Sequence, residues 1–117
     1  MVEETIATYL ASNTSLTKGV DLFLADFPPS TREGVVLRLL NIKETSGTLA
    51  QANLIIMVFK KDYITGRDLS LTIISTLNNV RGSLDGSWTP FNEIKFNDYG
   101  KDELDRYNFT VSCPITF

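Results

Sequence analysis

The sequence predicts an α+β domain in which a mainly antiparallel sheet carries two α-helices packed on one face. Three observations lead there. Apolar residues recur at helical spacing in two stretches, residues 2–13 and 63–80. Two apolar runs, Gly34 to Ile42 and Ala52 to Phe59, flank a polar turn. The closing stretch, Tyr107 to Phe117, alternates apolar and polar positions as a strand does. At 117 residues, 1–117 form one domain, and 43% hydrophobic with 21% charged residues is a composition that folds rather than one that stays disordered.

The first helix is expected over Val2 to Asn13, with Val2, Ile6, Tyr9 and Leu10 on its apolar side. Glu3 and Glu4 fall in its first turn, where carboxylates suit the positive helix end. A loop to Val20 leads into a short strand, Leu22-Phe23-Leu24, and the prolines of Phe27-Pro28-Pro29 stop it. Gly34 to Ile42 and Ala52 to Phe59 then pair as a hairpin around Gly47. The Lys43 to Ala50 turn has Leu49 as its one apolar anchor and is expected to exchange its amides fast. Asp62 is a good N-cap for a second helix, Tyr63 to Val80, with Gly66, Leu69, Ile73, Leu77 and Val80 in one stripe. Arg81 to Ser87 reads as a turn-rich loop, Trp88 to Phe96 as a strand interrupted by Pro90, and Asn97 to Asp102 as a loop. In the final strand Tyr107, Phe109, Val111, Cys113, Ile115 and Phe117 share one side.

The central hairpin is apolar on both sides. Val35, Leu37 and Leu39 oppose Val36 and Leu40, and Leu54, Ile56 and Val58 oppose Ile55, Met57 and Phe59. An antiparallel sheet with one wet face should alternate apolar and polar. Two short helices cover one face, so either a loop such as Leu16 to Pro29 or a neighbouring subunit must cover the other.

The chemistry available is narrow. With no histidine there is no imidazole base, no Ser-His triad and no imidazole metal ligand. The single cysteine, Cys113, has no thiol partner and sits in an apolar alternation, which makes it a buried small hydrophobe. Asp98, Asp102, Glu103 and Asp105 crowd four carboxylates into eight residues, but they lack the glycine and closing glutamate of a calcium loop. With Lys101 and Arg106 they read as an interface rim, and no cofactor, metal or catalytic residue is expected. The net charge of −3 and the scatter of basic residues along the chain argue against stable nucleic-acid binding. No apolar run reaches the ~20 residues of a membrane helix, and the N-terminus lacks a signal-peptide pattern, so a cytoplasmic, soluble protein is expected.

Two regions resemble the phage tail-terminator or minor tail (tail-completion) proteins. One is the first helix followed by Gly19-Val20-Asp21-Leu22-Phe23 and Phe27-Pro28-Pro29, together with the hairpin strand that runs into Asp62-Tyr63 and a helix ending near Leu77. The other is Gly100-Lys101-Asp102-Glu103-Leu104-Asp105-Arg106, followed by Asn108-Phe109-Thr110-Val111. The chain departs from that pattern at Gly66, where a small helix former such as alanine is expected. Glycine in a helix interior costs about 1 kcal/mol unless close packing uses its missing side chain.

The resemblance implies a virion protein at the head-proximal end of the tail, assembled in the host cytoplasm. It implies a homomeric ring, typically a hexamer, that caps the tail tube and offers the head-joining surface while DNA passes through its lumen. Expected partners are other copies, the tail-tube protein and a head-completion or connector protein. A neck or minor capsid protein and a cytoplasmic peptide-binding adaptor are the alternatives. The residues expected at an interface are Asp98, Lys101, Asp102, Glu103, Asp105 and Arg106 in the acidic turn, and Val36, Leu40, Ile55, Met57 and Phe59 on the second sheet face. Reversing Asp102 and Glu103 to lysine is expected to hinder joining at little cost to stability.

Overall fold

In the computed structural model the chain is an α+β fold, and residues 2–26, 33–44, 50–80, 83–84, 87–88 and 93–116 are described. Helix α1 (Val2–Asn13) leads into β1 (Leu22–Leu24), β2 (Gly34–Glu44) and β3 (Ala50–Lys60). Helix α2 (Tyr63–Asn78) is followed by the short strands β4 (Ser83–Leu84) and β5 (Ser87–Trp88), then β6 (Lys95–Lys101) and β7 (Tyr107–Thr116). Five strands form one sheet in the order β1-β2-β3-β7-β6, antiparallel except where β1 runs parallel to β2. Among the described residues, strands β4 and β5 pair only with each other.

Residue alternation fixes which side of each strand meets the helices. On that side Val35, Leu37, Leu54, Ile56, Val58, Phe109 and Val111 are almost wholly buried. They enclose a core with Ile6, Ala7 and Leu10 of α1 and Ile73 and Leu77 of α2. Leu16, from the loop after α1, joins this helix-side core and not the opposite face. The helices touch through Tyr9, whose hydroxyl donates to the carbonyl of Thr76 at 3.3 Å. Asp62 caps α2 by accepting from the backbone N–H of Thr65 at 2.8 Å and from its hydroxyl at 2.7 Å. These bonds, the hydroxyl's foremost, hold the Asp62 carboxyl below its usual value. The buried hydroxyls of Ser70 and Thr76 donate back to the carbonyls of Gly66 and Thr72, so neither is left unsatisfied in the core.

Gly66 has a steric reason. A Cβ there would lie 2.7 Å from Cε2 of Phe109 and 3.2 Å from Cβ of Lys60. The Phe109 ring cannot step aside, because Phe96 stacks on it at 5.9 Å and Tyr63 leans on it at 5.5 Å. The missing side chain is what lets α2 approach β3 and β7 this closely.

The structure departs from the sequence reading in four places. Helix α2 ends at Asn78, two residues short of Val80, with Asn79 as its C-cap. The strand expected over Trp88 to Phe96 is not one strand. Ser87 and Trp88 pair with β4, so the loop expected over Arg81 to Ser87 instead holds β4 and the start of β5, and the sheet strand begins at Lys95. The loop expected over Asn97 to Asp102 is largely β6, which carries no alternation because it is an edge strand exposed along almost its whole length. Its turn-like residues Asp98 and Gly100 form a bulge: Gly100 has φ +75°, and its N–H donates to Asp98 Oδ1 at 2.8 Å. The strands of the hairpin are each longer than expected, and the Gly47 turn between them (45–49) lies outside the described residues, as do the Pro28-Pro29 connection and Pro90.

The Gly66 contact yields a stability prediction. Gly66→Ala gains up to about 1 kcal/mol of helix propensity but overpacks against Phe109, which costs roughly 1–3 kcal/mol. Thermal unfolding should show the variant less stable than wild type. A raised melting temperature would contradict the packing described here.

Candidate assembly surface

The acidic turn is held by its own hydrogen bonds. Asp102 accepts from the backbone N–H of Leu104 at 2.9 Å and of Arg106 at 3.2 Å through Oδ1, and from Nε of Arg106 at 2.7 Å through Oδ2. Asp105, at φ +61°, pairs with Lys101 at 2.8 Å across the same turn. That pairing lowers the Asp105 pKa and raises that of Lys101. Asp98 is taken up by the β6 bulge. Glu103 and Leu104 sit exposed at the tip.

These bonds correct the expectation for Asp102. Its carboxylate organises the turn, with only 27% of the side chain exposed, so lysine there removes structure as well as charge. The low cost of reversal applies to Glu103 and not to Asp102.

Arg106 ties this turn to the second sheet face. Its guanidinium lies over the ring of Phe59 at 4.2 Å while Nε holds Asp102. Phe59 is the last second-face residue of β3, so the two groups of interface residues read from the sequence are neighbours in space. A cation–π contact of this kind contributes roughly 0.5–2 kcal/mol, depending on its desolvation.

Register places the remaining second-face residues. Phe23 pairs with Val36, Val36 with Met57, Met57 with Thr110, Arg38 with Ile55, and Ile55 with Ser112. Val36 is only 3% exposed and Phe23 is also buried, so the β1 end of this face is closed within the chain. Val36 is therefore not an accessible interface residue. Ile55, Met57 and Phe59 are half-buried, and Leu40 is 38% exposed.

Beyond Leu40 the face changes character. A bulge between Leu40 and Lys43, with Asn41 at φ +56°, bends the hairpin. Two open depressions follow and share Asn53 and Pro114. The larger, about 540 Å³, is bordered by Asn41, Lys43 and Gln51; the smaller, about 190 Å³, by Ile55, Lys95 and Ser112. With Arg38 opposite Ile55, three cations stand on this face, Arg38 and Lys43 on β2 and Lys95 beyond β3 and β7 on β6. The sequence reading missed them, because only the pairing register brings positions 38, 43 and 95 onto one face.

Cys113 is buried on the helix side, and burial pushes its thiol up to about 11, so it stays protonated at neutral pH. Among the described residues no group of three or more metal-ligating side chains converges. No described helix is long and apolar enough to cross a membrane.

No protein-family model matches the chain, and no curated protein does. Among solved structures, the fold is similar to that of a chain in the virion of a native gene transfer agent particle. The two superpose with a TM-score of 0.54 at 15% identity, over 96% of this chain and 84% of the other.

The turn yields a prediction with a pH signature. Burial pushes the Asp102 carboxyl up, but the bonds from the side chain and backbone of Arg106 and from Leu104 outweigh it, so Asp102 titrates below its ordinary 3.8. A carboxyl with a depressed folded pKa stabilises the fold above its unfolded value and loses that contribution as pH falls through the folded one. Asp102→Ala should cost about 2 kcal/mol at neutral pH, and its deficit should shrink in melts taken progressively below pH 3.8. Glu103→Lys should stay within ~0.5 kcal/mol of wild type. Equal melting temperatures for Asp102→Ala and wild type would show that the carboxylate does not organise the turn.

Proposed function

We propose that this chain is a structural virion protein, and within the virion a tail terminator. Copies of it close into a ring, about six to the circle, that caps the tail tube and presents the surface joined by the head. The observation that carries this reading is the fold shared over 96% of the chain with a component of a virion. The sequence resemblance to tail-terminator and tail-completion proteins points the same way and supplies the specific role. The partly bare sheet face supports self-association, since apolar patches left open on a subunit mark interfaces more often than chance.

The role is scaffolding rather than catalysis. No histidine is present, and the one thiol is buried and protonated. The partners are other copies of the chain, the tail-tube protein and a head-completion or connector protein, with DNA passing through the lumen and not held there. The site of action is the head-proximal end of the tail. A neck or connector protein is the nearest alternative within the particle, because the shared fold names a virion and no position in it. A peptide-binding adaptor draws support from one feature, the exposed edge strand β6, which offers backbone groups to an added strand.

Light scattering of the concentrated protein, alone and mixed with tail-tube protein, should give a discrete closed oligomer in at least the mixture. A strict monomer in both would end the ring reading. In the particle, Glu103→Lys at the exposed tip of the acidic turn should fold normally yet fail to complement a phage lacking the wild-type protein. Full complementation would remove that turn from the joining surface.

A further inference from the structure

The two sides of the sheet differ in charge. On the side away from the helices stand Arg38, Lys43 and Lys95, all exposed and none of them in an ion pair among the described residues. Asp102, brought near this side by Arg106 over Phe59, is engaged by that arginine. The chain has 11 cations and 14 carboxylates in all, so setting aside these three cations leaves eight against fourteen, a net of −6 for the rest. The helix layer shares in that surplus: α1 contains no lysine or arginine and carries Glu3 and Glu4 in its first turn. Beside it, α2 turns Ile64 and Leu71 outward, about half exposed and two helical turns apart.

We propose that a second copy of this chain docks its helix layer onto the bare sheet face, α1 carboxylates toward Arg38, Lys43 and Lys95, and Ile64 and Leu71 toward Ile55 and Met57. The inference rests on the ring reading above and adds to it which surfaces meet. The β2–β3 hairpin is apolar on both faces, and a second layer of helices, supplied by the neighbour, completes it on the far side. The contact joins two different surfaces of the same chain, on opposite sides of one sheet. Such a heterologous contact repeats from copy to copy and closes into a ring when the rotation allows. Opposite charges fix its direction and register, and the aliphatic centre supplies the burial. A nucleic acid fits the face less well, because Ile55 and Met57, beside Ser112 and Thr110, offer aliphatic surface and no charge between the cations.

A charge swap tests this. Arg38→Glu with Lys95→Glu reverses the sheet face, and Glu3→Lys with Glu4→Lys reverses the helix layer. Each pair alone should weaken self-association on the order of tenfold or more at low salt, and the chain with all four changes should regain it. Circular dichroism and melting check that each variant folds. If the first turn of α1 frays, Glu4→Lys alone carries the helix-side arm. Wild-type association left unchanged by either reversal, or four changes that fail to restore it in folded protein, would overturn the docking and leave the ring reading standing. A wild type that is monomeric alone and with tail-tube protein would remove both. A DNA duplex of about 20 base pairs serves as the competing ligand. Duplex binding lost on reversing Arg38 and Lys95, with self-association unchanged, would assign the face to nucleic acid instead.

Discussion

Strand β3 lies at the centre of the sheet, hydrogen-bonded to β2 on one side and to β7 on the other, and its residues are apolar in both directions. Everything else in the fold answers to that. Leu54, Ile56 and Val58 are sealed by α1 and α2, which lean on each other through Tyr9 and Thr76 and on the sheet through the gap at Gly66. Both helices are then committed to one side. On the other, Phe23, Val36 and Thr110 are buried among the described residues, and Ile55, Met57 and Phe59 stay half-buried. The same alternation that builds the core thus creates the surface on which assembly would depend.

Much of this was legible in the sequence, for reasons that can be named. The bounds of α1 match because its apolar spacing and acidic first turn agree with each other. The Asp62 cap, the hairpin and the alternation of β7 are local signals that tertiary packing reinforces. The two-sided apolar character of β2 and β3 was visible too, since alternation requires only a knowledge of which residues are neighbours along the chain. Gly66 stood out as a departure, but its reason needed the position of Phe109, 43 residues away in sequence by the numbering.

What stayed hidden depends on register or on edges. Strand β6 is wet on nearly all sides, so its sequence, Lys-Phe-Asn-Asp-Tyr-Gly-Lys, resembles a loop and no burial pattern betrays it. The acidic run looked like an interface rim, yet Asp102 spends its charge inward on Leu104 and Arg106, a role set by turn geometry rather than by composition. Arg38, Lys43 and Lys95 look scattered in an acidic chain, and the sheet alone places them on one face. The candidate surface is therefore half predictable: its aliphatic part from pattern, its charges only from the fold.

On this account the sheet side away from the helices is where one copy receives the next, the apolar centre driving contact and the three cations orienting it. Carbene footprinting of the side chains, below and above the concentration at which the protein assembles, reads that surface directly. Labelling of Ile55 and Met57 should fall sharply on assembly, together with Ile64 and Leu71 of α2, while exposed Val20 serves as a reference elsewhere on the chain. Ile55 and Met57 labelled equally in monomer and oligomer would contradict the account at its centre.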